Sequence, residues 1–392
     1  MLPLNQLTSS QRGILNRTVR GAFGDYEMKV TTQILTNQHK VVSTVSHVLL
    51  DGQVDAQSVR VSGGDIEVSR SCLLQFLDPQ HSLAFDSDSP TDGALYLDRM
   101  VRVVVSVRCS FGWVDIPVFT GPVDAVDRDG DIVNVKALGK EVFGLRSAWE
   151  SHNYKYGYKV KVLRSLLTRM GEVSKYIELP ASRSRIPKTI AVSRETKLWV
   201  KAFALANSLD RHLFYDGRGV ARAVRQGTKP VATFDGSMLL SEPQVSFSTA
   251  NLINAWIIKG GDPAGPKKIV SALVVAPRSS QLSPWKIGRD PVTGRGGFVT
   301  GREDNPNLRT FAKAIKRGKF LLDQSLLMGT EATWDSLPIW HLEPWDVVNL
   351  STSSFSATVR VRKFSLPLRA DAVMTCGYQK DLRKPRRVIR AA

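Results

Sequence analysis

The sequence predicts an α+β fold dominated by β-strands, in which two strand-rich regions flank a mixed α/β segment. Three observations lead to this prediction. Apolar residues alternate from Lys29, the alternation gives way to helical spacing after Gly144, and it returns from Pro243 onward. Alternation places successive side chains on opposite faces of a strand, whereas a spacing of three or four residues places them on one face of a helix.

The first strand-rich region predicts an antiparallel sandwich or barrel over residues ~30–145. Apolar residues alternate from Ile66 to Phe76, and Arg70 is the exception on that face. Further along, an Asp-Gly step in Asp127–Asp131 separates two apolar runs. This step predicts a hairpin, because Asp-Gly readily supplies the positive φ of a tight turn.

Helical spacing appears in four places. Residues 5–23 predict a short amphipathic helix capped by Thr8, Ser9 or Ser10. A second helix begins near Val162, and a third carries Ser193 as its candidate cap. A fourth follows Pro306, because proline is favourable in the first turn of a helix.

Composition describes an ordinary folded chain. The 392 residues are 42% hydrophobic, which is ample for packed cores. No run approaches the ~20 apolar residues of a membrane helix, and the first residues lack the order of a signal peptide, so we expect synthesis in the cytoplasm and no membrane segment. Cys72, Cys109 and Cys376 lie in apolar stretches and are predicted to be buried free thiols, with a disulfide or metal site as the alternative.

Basic residues outnumber acidic ones, 54 to 36, for a formal charge of +18. This excess favours attraction to nucleic acid, anionic surfaces or an acidic protein partner, and charge alone does not choose among them. It is concentrated in two regions. The first contains Lys155, Lys159, Lys161, Arg164, Arg169, Lys175, Arg183, Arg185 and Lys188, and the second contains Lys380, Arg383, Lys384, Arg386, Arg387 and Arg390.

The sequence contains partial matches to ligand-binding motifs, and each match lacks a required residue. Asp127, Asp129 and Asp131 have the spacing of a calcium loop, but Ile132 replaces the required glycine and Leu138 the closing glutamate. The glycine clusters at 217–219 and 294–297 match no phosphate-binding loop.

The six histidines show no metal-binding spacing and are expected at the surface or in strands. We therefore predict no catalytic, cofactor-binding or metal-binding residue, and no enzyme. Trp334, Trp340 and Trp345 form an aromatic cluster with Pro338 and Pro344. Packing in a core or a subunit interface is the expected use of these side chains, and a carbohydrate platform is the alternative.

Five stretches, in their order along the chain, resemble the minor tail proteins of long-tailed (siphovirus) actinobacterial phages, which are similar to baseplate hub proteins. These stretches are Asp65–Pro79, Val118–Val123, Thr196–Ala206, Leu213–Gly219 and Trp345–Leu350. The sequence departs from the family pattern in its basic ends and at Trp345, where a small turn residue is common.

The resemblance implies two β-barrel units like those of the tail tube, separated by an α/β insertion domain. The expected segments are an N-terminal helical arm at 1–29, a first barrel at 30–148, the insertion at 149–242, a second barrel at 243–377 and a basic C-terminal tail at 378–392. Within the second barrel we expect a long exposed loop at 277–306 and a helix at 307–328.

The resemblance also implies a structural protein of the virion at the tail tip. It would form a homotrimeric ring that joins the tail tube to the tip and fibre complex and gates the DNA channel. Its partners would be the distal tail protein, the tape measure protein, other tail-tip or fibre proteins and, transiently, DNA. The alternative function is that of a basic nucleic-acid-binding structural protein.

Overall fold

The computed structural model describes most of the chain as two compact units. The residues outside the description are 1–6, 22–25, 59–60, 63–64, 67, 84–94, 97–98, 147–149, 187–188, 226, 228, 248–252, 262–269, 281, 287–296, 306–307, 309, 327–329, 353–355, 381–387 and 390–392. Unit 1 comprises Met1–Pro243, Trp334–Ala357 and Val361–Gly377, and unit 2 comprises Gln244–Thr333, Thr358–Arg360 and Tyr378–Ala392.

Strands dominate the described part of the chain. The helices are α1 (Ser9–Gly21), α2 (Glu141–Leu145), α3 (Lys159–Arg169), α4 (Leu198–Asn207) and α5 (Phe311–Leu326), with a 3-10 turn at Ser174–Tyr176. The strands are β1 (Met28–Leu35), β2 (Val41–Thr44), β3 (Val48–Gln57), β4 (Val61–Ser62), β5 (Asp65–Ile66), β6 (Arg70–Leu77), β7 (Met100–Cys109), β8 (Gly112–Asp129), β9 (Ile132–Leu138), β10 (His152–Tyr154), β11 (Ile177–Glu178), β12 (Ile190–Val192), β13 (His212–Tyr215), β14 (Ala221–Val224), β15 (Ala232–Phe234), β16 (Gln244–Phe247), β17 (Ala255–Gly260), β18 (Val270–Val275), β19 (Thr300–Asn305), β20 (Thr330–Ser336), β21 (Val347–Ser351), β22 (Ser356–Pro367), β23 (Met374–Lys380) and β24 (Val388–Ile389).

The main sheet of unit 1 is antiparallel and open. Strands β3, β6, β9, β8, β7, β1 and β2 lie side by side in that order, and each neighbouring pair is antiparallel. Beyond β3 the sheet continues through β22, whose residues 363–367 pair with residues 53–57. The predicted β-dominated α+β class is confirmed. Among the described strands no pairing closes this sheet into a barrel.

Two local predictions for the N-terminal part of the chain are confirmed. Strands β8 and β9 form the Asp-Gly hairpin, with Asp129 opposite Ile132 and Gly130 at φ 57°. Helix α1 begins with a capping box, in which the Gln11 N–H donates to the Thr8 hydroxyl at 3.2 Å and the Thr8 N–H donates to the Gln11 side chain at 2.8 Å.

The Asp-Pro turn after β6 is organised by Asp78. Its buried carboxylate accepts hydrogen bonds from the backbone N–H groups of Ser82 and Leu83, both at 2.9 Å, and from Arg128 at 2.7 Å. Burial raises the pKa of Asp78, but these donors outweigh burial and lower it to about 2. The carboxylate therefore stays ionised and ties the turn to β8.

Helices α3 and α4 pack together within residues 149–242, the segment expected to be the insertion and called so below, where the helical spacing predicted them. Their core includes Leu163, Leu166 and Trp199, all fully buried. The predicted Ser193 cap is wrong. The hydroxyl of Ser193 contacts that of Thr196 at 3.1 Å, and α4 begins only at Leu198, after a Lys197 whose side chain makes no capping bond.

Unit 2 contains a sheet in the order β19, β17, β18, β24, with α5 against it, and an antiparallel pair of β16 and β20. Helix α5 confirms the helix predicted at 307–328, while Pro306 lies outside the described residues. The expected exposed loop at 277–306 was wrong in part, because β19 pairs with β17 in parallel. The six residues of β19 include Arg302, Glu303 and Asp304 and lack alternation, so no pattern indicated a strand.

The compact units group the chain differently from the five expected segments. Residues 334–357 and 361–377 belong with unit 1, although the second barrel was expected to span 243–377. The segment boundaries stay a prediction, and the basic tail lies largely outside the described residues. All three cysteines are buried and free, as predicted. None of the described helices is long and apolar enough to cross a bilayer.

Removing apolar volume from the α3–α4 core should destabilise unit 1. We expect Leu166→Ala to lower the free energy of unfolding by about 2–5 kcal/mol, because it deletes buried methyl groups and leaves a cavity. Urea unfolding followed by tryptophan fluorescence measures the change. The control is Lys161→Ala on the exposed side of the same helix, and an equal loss in both variants would contradict the assigned packing.

Candidate functional site: a buried charged junction

Unit 1 buries an unusual set of ionisable side chains. Burying a charge is costly unless a partner of opposite charge and hydrogen bonds compensate for the lost water. This set of buried charges is the candidate site. Within the described residues no group of three or more His, Cys, Asp or Glu is placed to hold a metal. We call it the charged junction. Its members are His39, Arg70, Lys140, Glu141, Glu172, Asp216 and Glu343.

Lys140 is the central cation of the charged junction. Its ammonium donates to the carboxylate of Glu172, to His39 Nε2 at 2.7 Å and to the Gly219 carbonyl at 3.1 Å. Burial lowers the pKa of His39, so the imidazole is neutral at pH 7 and its Nε2 can accept from the ammonium. Burial raises the pKa of Glu172, but the ammonium of Lys140 outweighs burial through its hydrogen bond and charge, and the pKa of Glu172 lies below its usual value.

Positive-φ turns bring three distant segments to Lys140. His39 lies at φ 64° between β1 and β2, and Gly219 lies at φ 72° between β13 and β14. Glu172 follows Gly171, which has φ 92° and ends the turn after α3. Lys140 itself immediately precedes α2, directly after β9. The ion pair therefore fixes the insertion onto the first sheet.

Arg70 and Glu343 form a second buried ion pair. One guanidinium nitrogen of Arg70 donates to Glu343 Oε2 at 2.5 Å, and the other donates to the Val118 carbonyl at 2.8 Å. The other oxygen of Glu343 accepts from the Gly217 N–H at 3.2 Å. Arg70 is the residue that interrupts the apolar face of β6 in the sequence, and its burial explains the interruption.

Glu141 is buried, and within the described part of the chain no cation forms an ion pair with its carboxyl group. The Ser69 hydroxyl donates to Oε1, and the Tyr215 N–H lies 3.4 Å from the same oxygen. Burial raises the pKa of Glu141, although these hydrogen bonds oppose the shift. Oε2 has no hydrogen-bond partner among the described residues. The group is therefore a structural carboxyl that joins β6, α2 and β13.

The β13–β14 turn is the part of the insertion that docks onto β8. Asp216 organises it by accepting from the N–H groups of Arg218 and Val220 at 3.0 and 3.1 Å. The Thr120 hydroxyl then donates to the Gly217 carbonyl at 3.0 Å. A Cβ at Gly217 would lie 2.4 Å from the Pro117 carbonyl oxygen, so only glycine allows this approach.

The tryptophan cluster divides between two environments. Trp334 and Trp340 are buried at 2% and 3% exposure, which supports core packing over a carbohydrate platform for these two. Trp345 stacks on His212 with ring centroids 4.0 Å apart and has φ 75°. A positive φ is a rare backbone conformation for so bulky a residue.

A cleft of about 350 Å³ lies beside Arg70, with Asp55, Lys363, Phe364 and Cys376 in its walls. Cys376 is its candidate nucleophile. Burial raises the pKa of the Cys376 thiol, so it stays protonated at neutral pH and is a poor nucleophile. The cleft therefore offers no thiol chemistry.

Sequence reasoning predicted no site residue, and the charged junction was missed. The expectation that histidines lie at the surface or in strands was wrong for His39 and His341, which are buried in turns at 5% and 3% exposure. The one available signal was Arg70, a charge on an apolar strand face. Its partner Glu343 lies 273 residues away, so no local pattern connects the two.

Breaking the Lys140–Glu172 pair from one side should be more damaging than removing it. We expect Lys140→Met to lower the free energy of unfolding by about 3–5 kcal/mol, because it leaves a buried carboxylate without its cation. The double variant Lys140→Met/Glu172→Leu should lose less than Lys140→Met alone. Urea unfolding of wild type, Lys140→Met, Glu172→Leu and the double variant measures the coupling between the two side chains. Strictly additive losses of unfolding free energy would contradict a direct interaction.

Protonation of His39 and Glu172 should weaken the charged junction in acid, whereas the raised pKa values of Glu141 and Glu343 act in the opposite direction. The pKa of His39 in the folded state lies below its ordinary 6.5, so the unfolded chain binds more protons and stability falls as pH drops below 6.5. The lowered pKa of Glu172 acts in the same direction below 4.5. We expect His39→Gln to flatten the decline between pH 7 and 5 in urea midpoints. His81→Gln, at an exposed position, is the control and should keep the wild-type slope.

The fold is similar to that of three solved tail proteins. The tail protein from Neisseria meningitidis MC58 is 13% identical, with a TM-score of 0.59 over 91% of this chain and 97% of that chain. The 43 kDa tail protein of prophage MuSo2 from Shewanella oneidensis is 12% identical, with a TM-score of 0.58 over 91% and 99%. The prophage tail protein gp18 from Listeria monocytogenes EGD-e is 9% identical, with a TM-score of 0.52 over 91% and 96%.

By sequence, no protein-family model and no curated protein matches the chain. The likeness is therefore one of structure, and it spans nearly the whole of each tail protein. The chain has the fold of prophage tail proteins, in agreement with the phage-tail part of the resemblance seen in its sequence.

Proposed function

We propose that this chain is a structural component of a bacteriophage tail, a hub-type minor tail protein of a long-tailed phage. The observation that supports this most directly is the extent of the fold similarity. It covers 91% of this chain and 97% and 99% of two tail proteins, so it includes both compact units and not one shared module. This role requires no catalytic step, and we assign none.

In this proposal three copies form a ring at the tail tip. The ring joins the tail tube to the tip and fibre complex and surrounds the DNA channel, with the distal tail and tape measure proteins as neighbours. Closed cyclic symmetry suits such a role, because it covers the equivalent surfaces of every subunit. Three copies of a chain with two strand-rich regions would present six such regions to a sixfold tube.

Exposed apolar side chains on the main sheet support assembly. Val48 and Leu77 are directly paired across β3 and β6 and are 62% and 37% exposed, and Leu50 and Leu73 are 46% and 50% exposed on the same two strands. Soluble monomers rarely expose contiguous apolar patches of appreciable size, so such patches indicate surfaces that a partner covers. We assign this patch to contact between copies.

The charged junction supports a role in which unit 1 keeps one conformation until a signal releases it. It joins residues 149–242 to the first sheet through buried ion pairs, and displacing one partner while the other stays buried would leave an uncompensated charge at a cost of several kcal/mol. We propose that this rigid closed arrangement prevails in the virion. Opening on host contact would then let the tape measure protein and genome leave.

Assembly should depend on the exposed apolar patch. We expect wild-type protein to elute at three times the chain mass in size-exclusion chromatography with light scattering. Val48→Lys/Leu77→Lys should elute as a monomer, because it places two charges in the contact. The matched control is Leu240→Lys/Val373→Lys, two similarly exposed positions, which should remain trimeric.

Two results would argue against this function. One is a wild-type chain that stays monomeric at assembly concentrations with its partner tail proteins present. The other is electron microscopy of labelled phage particles that locates the chain away from the tail tip. A trimer that both double variants leave intact would reject the assigned patch while retaining the ring.

A further inference from the structure

The insertion carries a strongly cationic stretch that the structural role does not use. From Ser151 to Arg194 the chain has ten Lys and Arg residues and two acidic ones. Both acids are already engaged, since Glu172 binds Lys140 in the charged junction and Glu178 accepts from Arg218 at 3.0 Å. Neither remains to neutralise the surface.

Aromatic rings lie among these cations. The ring of Tyr158 contacts two of them, with Lys161 Nζ at 5.8 Å and Arg185 Cζ at 5.4 Å from the ring centroid. Tyr158 also bridges to Arg185 in antiparallel fashion, which holds the 183–185 segment beside the start of α3. Two residues before Tyr158, Tyr156 is 87% exposed.

We define the cationic face as Lys155, Tyr156, Tyr158, Lys161, Arg183 and Arg185. Its four basic side chains are exposed, and within the described residues none of them forms an ion pair with a carboxylate. Other basic residues of the insertion differ in this respect. Arg169 pairs with Glu150 at 3.4 Å, for example. The cationic face therefore combines unneutralised charge with an exposed ring.

We propose that the cationic face binds nucleic acid. Its four basic side chains contact backbone phosphates, and Tyr156 stacks on an unpaired base. A nucleic acid matches both halves of the surface, because it offers regularly spaced negative charges together with flat apolar rings. An acidic protein segment would match the charges and leave Tyr156 without a comparable flat partner. The inference does not rest on ring formation.

Replacing basic side chains of the cationic face with uncharged glutamine tests the phosphate contacts. Full-length protein is titrated into a labelled 30-nucleotide single strand at several salt concentrations, with anisotropy as the readout. Because each phosphate contact contributes about 0.7 to the salt slope for a single strand, Lys155→Gln/Lys161→Gln/Arg185→Gln should reduce the slope by about two. We expect affinity to fall about tenfold or more at the lowest salt.

The matched control removes the same charge from α5 in unit 2. Lys313→Gln/Lys316→Gln/Lys319→Gln also lowers the net charge by three and should change affinity less than about threefold, because charges that do not contact the strand act only through long-range attraction, which salt screens. Thermal unfolding of each variant confirms that it is folded. Light scattering confirms that its oligomeric mass is unchanged, which separates this test from that of the ring.

A pair of variants at one position tests stacking. Tyr156→Ala should weaken binding to the single strand by about fivefold or more and leave binding to the matching duplex unchanged, since stacking contributes about 1–3 kcal/mol per base. Tyr156→Phe retains the ring and should bind as wild type does.

Four outcomes would overturn the proposal. Wild-type protein could fail to bind either nucleic acid, or the cationic-face variant could bind as wild type does. The α5 control could lose as much affinity, which would indicate attraction by net charge alone. Finally, polyglutamate could displace the strand at equal charge concentration while Tyr156→Ala binds the strand as wild type does. These two results together would assign the surface to an acidic protein partner.

Discussion

The buried ammonium of Lys140 is the constraint on which the arrangement of unit 1 depends. It is surrounded by the carboxylate of Glu172, the neutral ring of His39 and a backbone carbonyl, and each comes from a different turn. An ammonium in this position tolerates little displacement of its partners, because Lys140 is buried and bulk solvent cannot replace them. The turns that carry these partners must therefore hold their positions together.

The rest of the junction follows from the same requirement. The turn that offers its carbonyl to Lys140 also presents the Gly217 N–H to Glu343, and Glu343 in turn neutralises Arg70. One glycine-containing turn thus connects both ion pairs. Each of these hydrogen bonds has a direction and a distance to satisfy, whereas apolar packing accommodates repacking at constant volume. For a part that must fit its neighbours in an assembly, a single geometry is the useful property.

Much of the fold was predictable because it is local. Alternating apolar residues predicted strands β6 to β9, and the Asp-Gly step predicted the hairpin between β8 and β9. Apolar residues three or four apart predicted helices α3 and α5. The polar strand β19 could not be predicted, because it forms by pairing with β17. The start of α4 could not be predicted either, because it depends on packing that no short pattern encodes. The junction was hidden for the same reason. Glu172 lies 32 residues from Lys140, and only the folded chain brings the two together.

The short strand β2 ends the main sheet, and its Val41 and Val42 are 44% and 51% exposed. Among the described residues no strand pairs with its outer edge, whose backbone donors and acceptors are a template for another strand. When the chain is produced without its neighbours, this edge invites pairing between copies and precipitation. Lys40 beside the edge opposes such growth by charge repulsion, so low salt and co-expression with a partner should favour soluble material.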